Sequence, residues 1–218
     1  MVKYTKASAE PASLAIEKAK GINGKYNLPD VIEQLRTDFC DKCYICELKS
    51  LTDPEVEHLI PHEGSRHLDL KFDWQNLFWS CRHCNSIKNQ KKYAGKIMNC
   101  CQVDPENHLI FRYQTEDSIE VTPLDEDELS IMTAQLIYET FNLKNTGIRI
   151  AASQARIDAL KTAMLIFFKE LHRYQKSKTA HQEKRLLSLL RRESAFAGFK
   201  RSYIRDHQAN FSKLAAQL

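Results

Sequence analysis

Two Cys-x-x-Cys pairs, Cys43/Cys46 and Cys81/Cys84, constrain this chain more than any other feature in it. Two residues between paired cysteines let both sulfurs turn to one ion. Two such pairs make up the four-thiolate set of a tetrahedral zinc site. The basic, glycine-poor surroundings do not suit a redox dithiol. Cys40 adds an overlapping spacing, Cys40-x-x-Cys43. The assignment to Cys43 and Cys46 leaves Cys40 on the preceding helix as a small buried hydrophobe. The adjacent Cys100 and Cys101 read as packed thiols.

The segment enclosed by the pairs, and the residues just after it, carry groups suited to hydrolysis. They are Glu57, His58, Asn76 and Asn85. Cleaving a phosphodiester needs a nucleophilic water and neutralisation of the charge that builds on the leaving oxygen. A histidine with a pKa near ~6.5 can take the proton from water at neutral pH. A divalent ion beside the phosphate supplies positive charge. PEVEHLIP and NLFWS are β-permissive, with a long loop between them, and the pattern turns helical and basic from Arg82. Neighbours on a strand point to opposite faces. Glu57 is therefore expected to serve the metal and His58 the water.

Glu57-His58, Asn76-Leu77 and Asn85 together resemble the motif of the HNH endonucleases, the ββα-metal nucleases. Flanking cysteine pairs mark the zinc-stapled branch of that family. The resemblance implies that Glu57 is the acidic metal ligand, His58 the general base, and Asn76 the asparagine that fixes the loop and the base. Asn85 takes the last motif position, where many members carry histidine. An amide oxygen there suits magnesium or manganese better than a softer ion. The CxxCE element, the W-x-NL…SCxxCNxxK block and the long tail further resemble the PtuB family, the nuclease subunits of Septu-type and retron-associated anti-phage systems. That match is strong over residues 40–92 and loose beyond. In the tail it rests on Asp104-Pro105, on Asn142 and Leu143, and on Arg156. It implies DNA as substrate and an ABC/SMC-like ATPase subunit of PtuA type as partner. No GxxxxGK[ST] occurs in this chain, so nucleotide control would come from that partner.

Composition agrees with a soluble protein, at 43% hydrophobic and 28% charged residues. No apolar run approaches the roughly 20 residues of a membrane span, and the start of the chain lacks the apolar core of a secretory signal. The cytoplasm is the expected compartment, with the cysteines as thiols or ligands rather than disulfides. The net charge of +4 is small, but its distribution is uneven. Seven acidic residues fall between Glu116 and Glu128, and eleven Lys/Arg against four Asp/Glu between Lys169 and Asp206. Such runs read as solvated helix faces or as partner surfaces. Lys88, Lys91 and Lys92, on the helix after Asn85, are candidates for holding a DNA backbone.

The predicted fold class is α+β, mostly α: a small zinc-stapled ββα core between a helical lead-in and a long helical tail. Residues 1–39 form the lead-in, with helices over 11–20 and 29–39. Residues 40–96 form the core. Residues 97–124 contain a β-hairpin connector. Residues 125–218 form a partner-binding helical region, with helices at 127–143, 146–177, 180–196 and 198–216. Asp125 is a candidate cap for the first of these. In the second, Ala163, Leu165, Ile166 and Phe167 are expected to be buried against a helix or a partner. His62, His67 and His83 are expected in loops or at the surface, with His62 able to contact substrate. Trp74, Phe78 and Trp79 are read as core. Two other functions fit the same residues: a zinc-stapled nucleic-acid-binding module without chemistry, and a stand-alone HNH nuclease.

Overall fold

Two short strands bring the cysteine pairs together. In the computed structural model, which describes residues 1–114, 118–142 and 146–218, β1 (Pro54–His58) pairs antiparallel with β2 (Leu77–Cys81). The register sets Glu57 opposite Phe78 and His58 opposite Leu77. All five residues of β2 are buried, as expected for a continuous apolar run covered on both faces. Helix α4 (Arg82–Lys88) leaves β2 directly and packs against both strands. Cys81 therefore ends a strand and Cys84 lies in the first turn of a helix, which turns both sulfurs inward.

The lead-in contributes α1 (Ala12–Lys18) and α2 (Pro29–Asp38). Pro29 opens α2 at its first position, where a missing N–H costs nothing. Val31 and Leu35 are buried along one stripe, while Ile32 lies at its edge. The helix ends before Cys40, which lies half-buried in a left-handed turn at φ 55°, not on the helix. The loop after β1 is not structureless: it holds α3 (Leu68–Phe72) and a 3-10 turn at Trp74–Asn76 capped by Asp73. Trp74, Phe78 and Trp79 are core residues, as expected.

The hairpin forms from β3 (Leu109–Tyr113) and β4 (Ile119–Pro123). Thr115, Glu116 and Asp117, in the predicted polar turn, and Leu143 lie outside the described residues. The tail comprises α5 (Glu128–Asn142), α6 (Gly147–Ser177), α7 (Ala180–Leu190), α8 (Ala197–Asp206) and α9 (Ser212–Ala215). The architecture is α+β, with nine α-helices and two two-stranded sheets among the described residues. Asp125 accepts from the Asp127 N–H just ahead of α5 and binds His108 Nδ1 at 2.6 Å. Thr146 caps α6, and Lys178, at φ 43°, ends it.

Three expectations about the tail need correction. The third tail helix stops at Leu190, not 196, and the last one is split after Asp206. Long-range contacts take over the backbone there: Lys42 Nζ holds the carbonyls of Arg192 and Ser194, and Phe196 N–H reaches Glu47 O. Second, Phe167 is fully buried within this chain, but Leu165 and Ile166 are 61% and 51% exposed, so no helix of this chain covers them and the expected partner contact stays open. Successive helix residues are turned by about 100°, so one neighbour cannot cover all of them. Third, the basic run is only in part a solvated face: most of its Lys/Arg are exposed, but Lys200 and Arg201 are buried. Arg192, Arg201 and Arg205 converge on the buried Glu106, Arg173 and Arg185 on Glu170, and Lys200 is itself buried.

Core residues from Met1 to Leu214 belong to one continuous apolar cluster. Phe111 of the hairpin packs against Phe199 of α8 at 5.6 Å, and Phe141 of α5 meets the same ring at 5.7 Å. The tail is part of the structure that carries the site.

Glu106 gives this junction a pH dependence. Burial pushes its carboxyl up, but hydrogen bonds from Arg201 and Arg205 outweigh that and hold it below the usual value. A carboxylate with a lowered folded pKa contributes its full stability above the unfolded value of about 4.3. That contribution is lost as pH falls through the folded pKa. Glu106→Gln is therefore expected to destabilise the protein by roughly 3–5 kcal/mol near neutral pH, because it leaves the buried Arg201 without its carboxylate. The deficit should shrink on acidification. Urea midpoints at pH 7 and below pH 4 check it; a deficit that does not depend on pH would contradict this account.

Candidate functional site

The four sulfurs of Cys43, Cys46, Cys81 and Cys84 lie within 4.8 Å of one another, and all four residues are buried. Thiolates about 2.3 Å from a common ion would stand roughly 3.8 Å apart. The set therefore fits a tetrahedral zinc ion, and the chain brings together the residues that its spacing predicts. Ser80 Oγ, 3.7 Å from Cys43 Sγ, and Arg156, whose Nη2 donates to Cys81 Sγ at 2.9 Å, complete the surroundings. Cys100 is buried and Cys101 half-buried; neither belongs to the cluster.

A second set of polar groups lines a cavity of about 290 Å³ beside the ladder, walled by Tyr26, Glu57, His58, His62, Asn85 and Asn89 among others. A larger groove of about 530 Å³ between α1 and α3 carries Lys18 and Asp69, which pair with each other across its rim. It gathers no comparable chemistry.

Two rungs join β1 to α4. Glu55 and Glu57, two apart on the strand, share a face; Asn85 and Lys88, three apart on the helix, share another. Asn85 Nδ2 donates to Glu55 Oε2 at 2.6 Å, and Lys88 Nζ lies 2.5 Å from Glu57 Oε1. Tyr44 O–H donates to Glu57 Oε2 at 2.7 Å. Burial pushes the Glu57 carboxyl up, and Lys88 and Tyr44 only partly reverse this. The first rung consumes the Asn85 amide nitrogen. Its Oδ1 is left buried without a hydrogen-bond partner among the described residues.

His58 emerges on the other side of the strand and still lines the same cavity. Its Nε2 stands 3.0 Å from the carbonyl of Lys71. A carbonyl only accepts, so the neutral ring carries its proton on Nε2 and keeps the lone pair on Nδ1. Burial lowers the His58 pKa to about 4. Asn76 does not reach the cavity. Its Oδ1 accepts from Ile60 N–H, and its Nδ2 donates to the carbonyls of Ile60 and Leu70. It thereby fixes the loop one residue before the carbonyl that holds His58. His62 faces His58 with ring centres 4.4 Å apart, and its Nδ1 accepts from Ser65 N–H at 2.9 Å.

The lysines depart from expectation. Lys88 is not a surface residue that could hold a DNA backbone: it is 2% exposed and also donates to the carbonyls of His58 and Leu59. Lys92 is exposed but paired with Glu139 at 2.5 Å. Lys91 is exposed, in a 3-10 turn beyond the end of α4. His83, expected at the surface, is buried with Nε2 on Thr140 O. Sequence reasoning missed Tyr26, Tyr44, Glu55 and the inward role of Lys88. The alternation of Glu55 with Glu57, set against Asn85 and Lys88 on the next helix, was the available signal.

Lys88→Met is expected to cost roughly 3–5 kcal/mol, because it strands a buried carboxylate. The shift in urea midpoint measures it. A loss nearer that of an exposed pair, under about 1 kcal/mol, would mean that Glu57 is already protonated in the folded protein.

No family model, curated protein or solved structure matches this chain significantly. Among the described residues, no helix is long and apolar enough to cross a membrane.

Proposed function

We propose that this chain is a metal-dependent endonuclease of the HNH type that hydrolyses DNA phosphodiester bonds. The observation that carries the reading is the convergence of Glu57, His58 and Asn85 on one cavity, with the His58 proton placed on Nε2 by Lys71 O. The order β1, β2, α4 around that cavity supports it.

A hard cation fits there on one specific ground: Asn85 Oδ1 is a buried acceptor without a partner. Asn85 and Glu57 would hold magnesium or manganese, although Lys88 already offsets the charge on Glu57. A bound divalent ion supplies positive charge at the scissile phosphate and eases loss of a proton from water. His58 takes that proton on Nδ1. Asn76 and Lys71 hold the loop and the ring, Glu55 aims the Asn85 amide, and Lys88 fixes the end of β1.

The anti-phage role and the ABC/SMC-like ATPase partner rest on the resemblance over residues 40–92. Because the tail is built into the core, truncating it is a poor test of partner binding. Leu165→Asp and Ile166→Asp, on the exposed face of α6, are better ones if the ATPase docks there.

Nicking of supercoiled plasmid with magnesium or manganese, stopped by EDTA, tests the nuclease reading. It should be run alone and with the ATPase. Retention of DNA by zinc-loaded protein with no cutting in any mixture would favour the binding module instead.

A further inference from the structure

Zinc held by four thiolates carries a net charge of −2, and here it would be buried among fully enclosed sulfurs. A buried charge of that size is costly unless a counter-charge lies close by. One guanidinium answers it. Arg156 lies 75 residues beyond Cys81, on α6, is 5% exposed, and points Nη2 at Cys81 Sγ. Its Nη1 holds the Ala152 carbonyl of its own helix at 2.6 Å. Its Nε is buried without a hydrogen-bond partner among the described residues.

Arginine stays protonated in proteins, so its burial is stabilising only beside negative charge. Four neutral thiols would provide none. The metal makes the cysteines thiolates and so creates the partner that Arg156 needs. The same side of the centre is touched once more by the tail, where His83 Nε2 meets the Thr140 carbonyl of α5. The opposite pair is clamped separately, through Lys42 and Glu47, by residues 192–198.

We infer that Arg156 is the counter-ion of the thiolate centre, and that through it the bound metal locks α6 onto the two-stranded core. Linkage then works both ways: the docked helix slows metal loss, and metal loss releases the helix. The inference is independent of the nuclease reading, since its readouts are metal and helix protection.

The test uses the full-length, zinc-loaded protein. Arg156→Met keeps most of the side-chain volume and removes the charge. Transfer of zinc to a chromogenic chelator should become about 10- to 100-fold faster, the usual loss when a partner of a metal ligand is removed. Arg156→Lys should fall between the two. In cobalt-substituted protein, the sulfur-to-metal charge-transfer band should move to lower energy in Arg156→Met, because a hydrogen bond that stabilises the Cys81 sulfur electrons is gone. Packing alone would move neither the band nor the ordering of the variants. Wild-type zinc release and an unshifted band in Arg156→Met would overturn the inference, as would Arg156→Lys behaving like Arg156→Met. Should the variant not fold, hydrogen exchange of the wild type during chelation decides: α6 must lose protection together with the metal. Protection that outlasts zinc loss would overturn it equally.

Discussion

Stripping the metal from the four-cysteine centre is expected to unfold the β1–β2 ladder and shift tryptophan emission to the red. Trp74 and Trp79 are the only tryptophans; both are buried, Trp79 in β2 and Trp74 in the 3-10 turn that leads into it. Structural zinc in small domains contributes apparent free energies of about 10–16 kcal/mol. Typical domains have only about 5–15 kcal/mol of total stability. The loss is therefore larger than the fold can absorb. The centre joins the turn at Cys43–Cys46 to the strand end and helix at Cys81–Cys84. Without the ion, the sulfurs lose the charge that holds all four as thiolates, and Arg156 loses most of its negative partner. Cys81→Ser should reproduce the effect without chelator. α7, which packs on α6 through local contacts, should keep more of its far-UV signal than the ladder keeps of its near-UV signal. A melting curve and emission maximum unchanged by both treatments would mean that the four thiols pack as a dry cluster and need no ion.

What could be read from the sequence here was local. The cysteine spacing, the β-permissive runs of β1 and β2, and the start of α4 depend on neighbours within a few residues, so their order emerged correctly. Glu57, His58 and Asn85 were legible as candidates from their types and order, whereas Asn76, read with them, holds the loop and does not reach the cavity. The partners of these groups were not legible. Lys88, the last residue of α4, reads as an exposed cation able to hold a DNA backbone, yet a carboxylate on a strand 31 positions earlier draws it inside. The basic run after Lys169 reads as a surface, yet Glu106 gathers three of its arginines and buries one, Arg201. Arg156 gave no sign of its sulfur contact. Each of these is an ion pair across a long loop, and no periodicity encodes such pairs. The same physics explains α6. Its apolar residues outnumber what one stripe can bury, so Leu165 and Ile166 stay at the surface.

His58→Ala is expected to slow plasmid nicking by about 10²–10⁴-fold, the usual contribution of a positioned general base. Fold, zinc content and DNA retention should survive. The substitution removes one hydrogen bond to the Lys71 carbonyl, worth about 1 kcal/mol, and leaves the Asn76 contacts in place. The neighbouring histidine provides the decisive contrast. His62 spends its Nδ1 lone pair on Ser65 N–H and keeps its proton on Nε2, so it can donate to a phosphate but cannot take a proton from water without breaking that bond. His58 carries its proton on the same nitrogen, held by Lys71 O, but its Nδ1 lone pair is free to accept. His62→Ala should therefore weaken cutting far less than His58→Ala. If His62→Ala abolished nicking while His58→Ala did not, the base would have been assigned to the wrong ring. If neither variant changed a rate that still required magnesium, no histidine of this cavity would serve as the base, and the chemistry would have to lie elsewhere in the molecule.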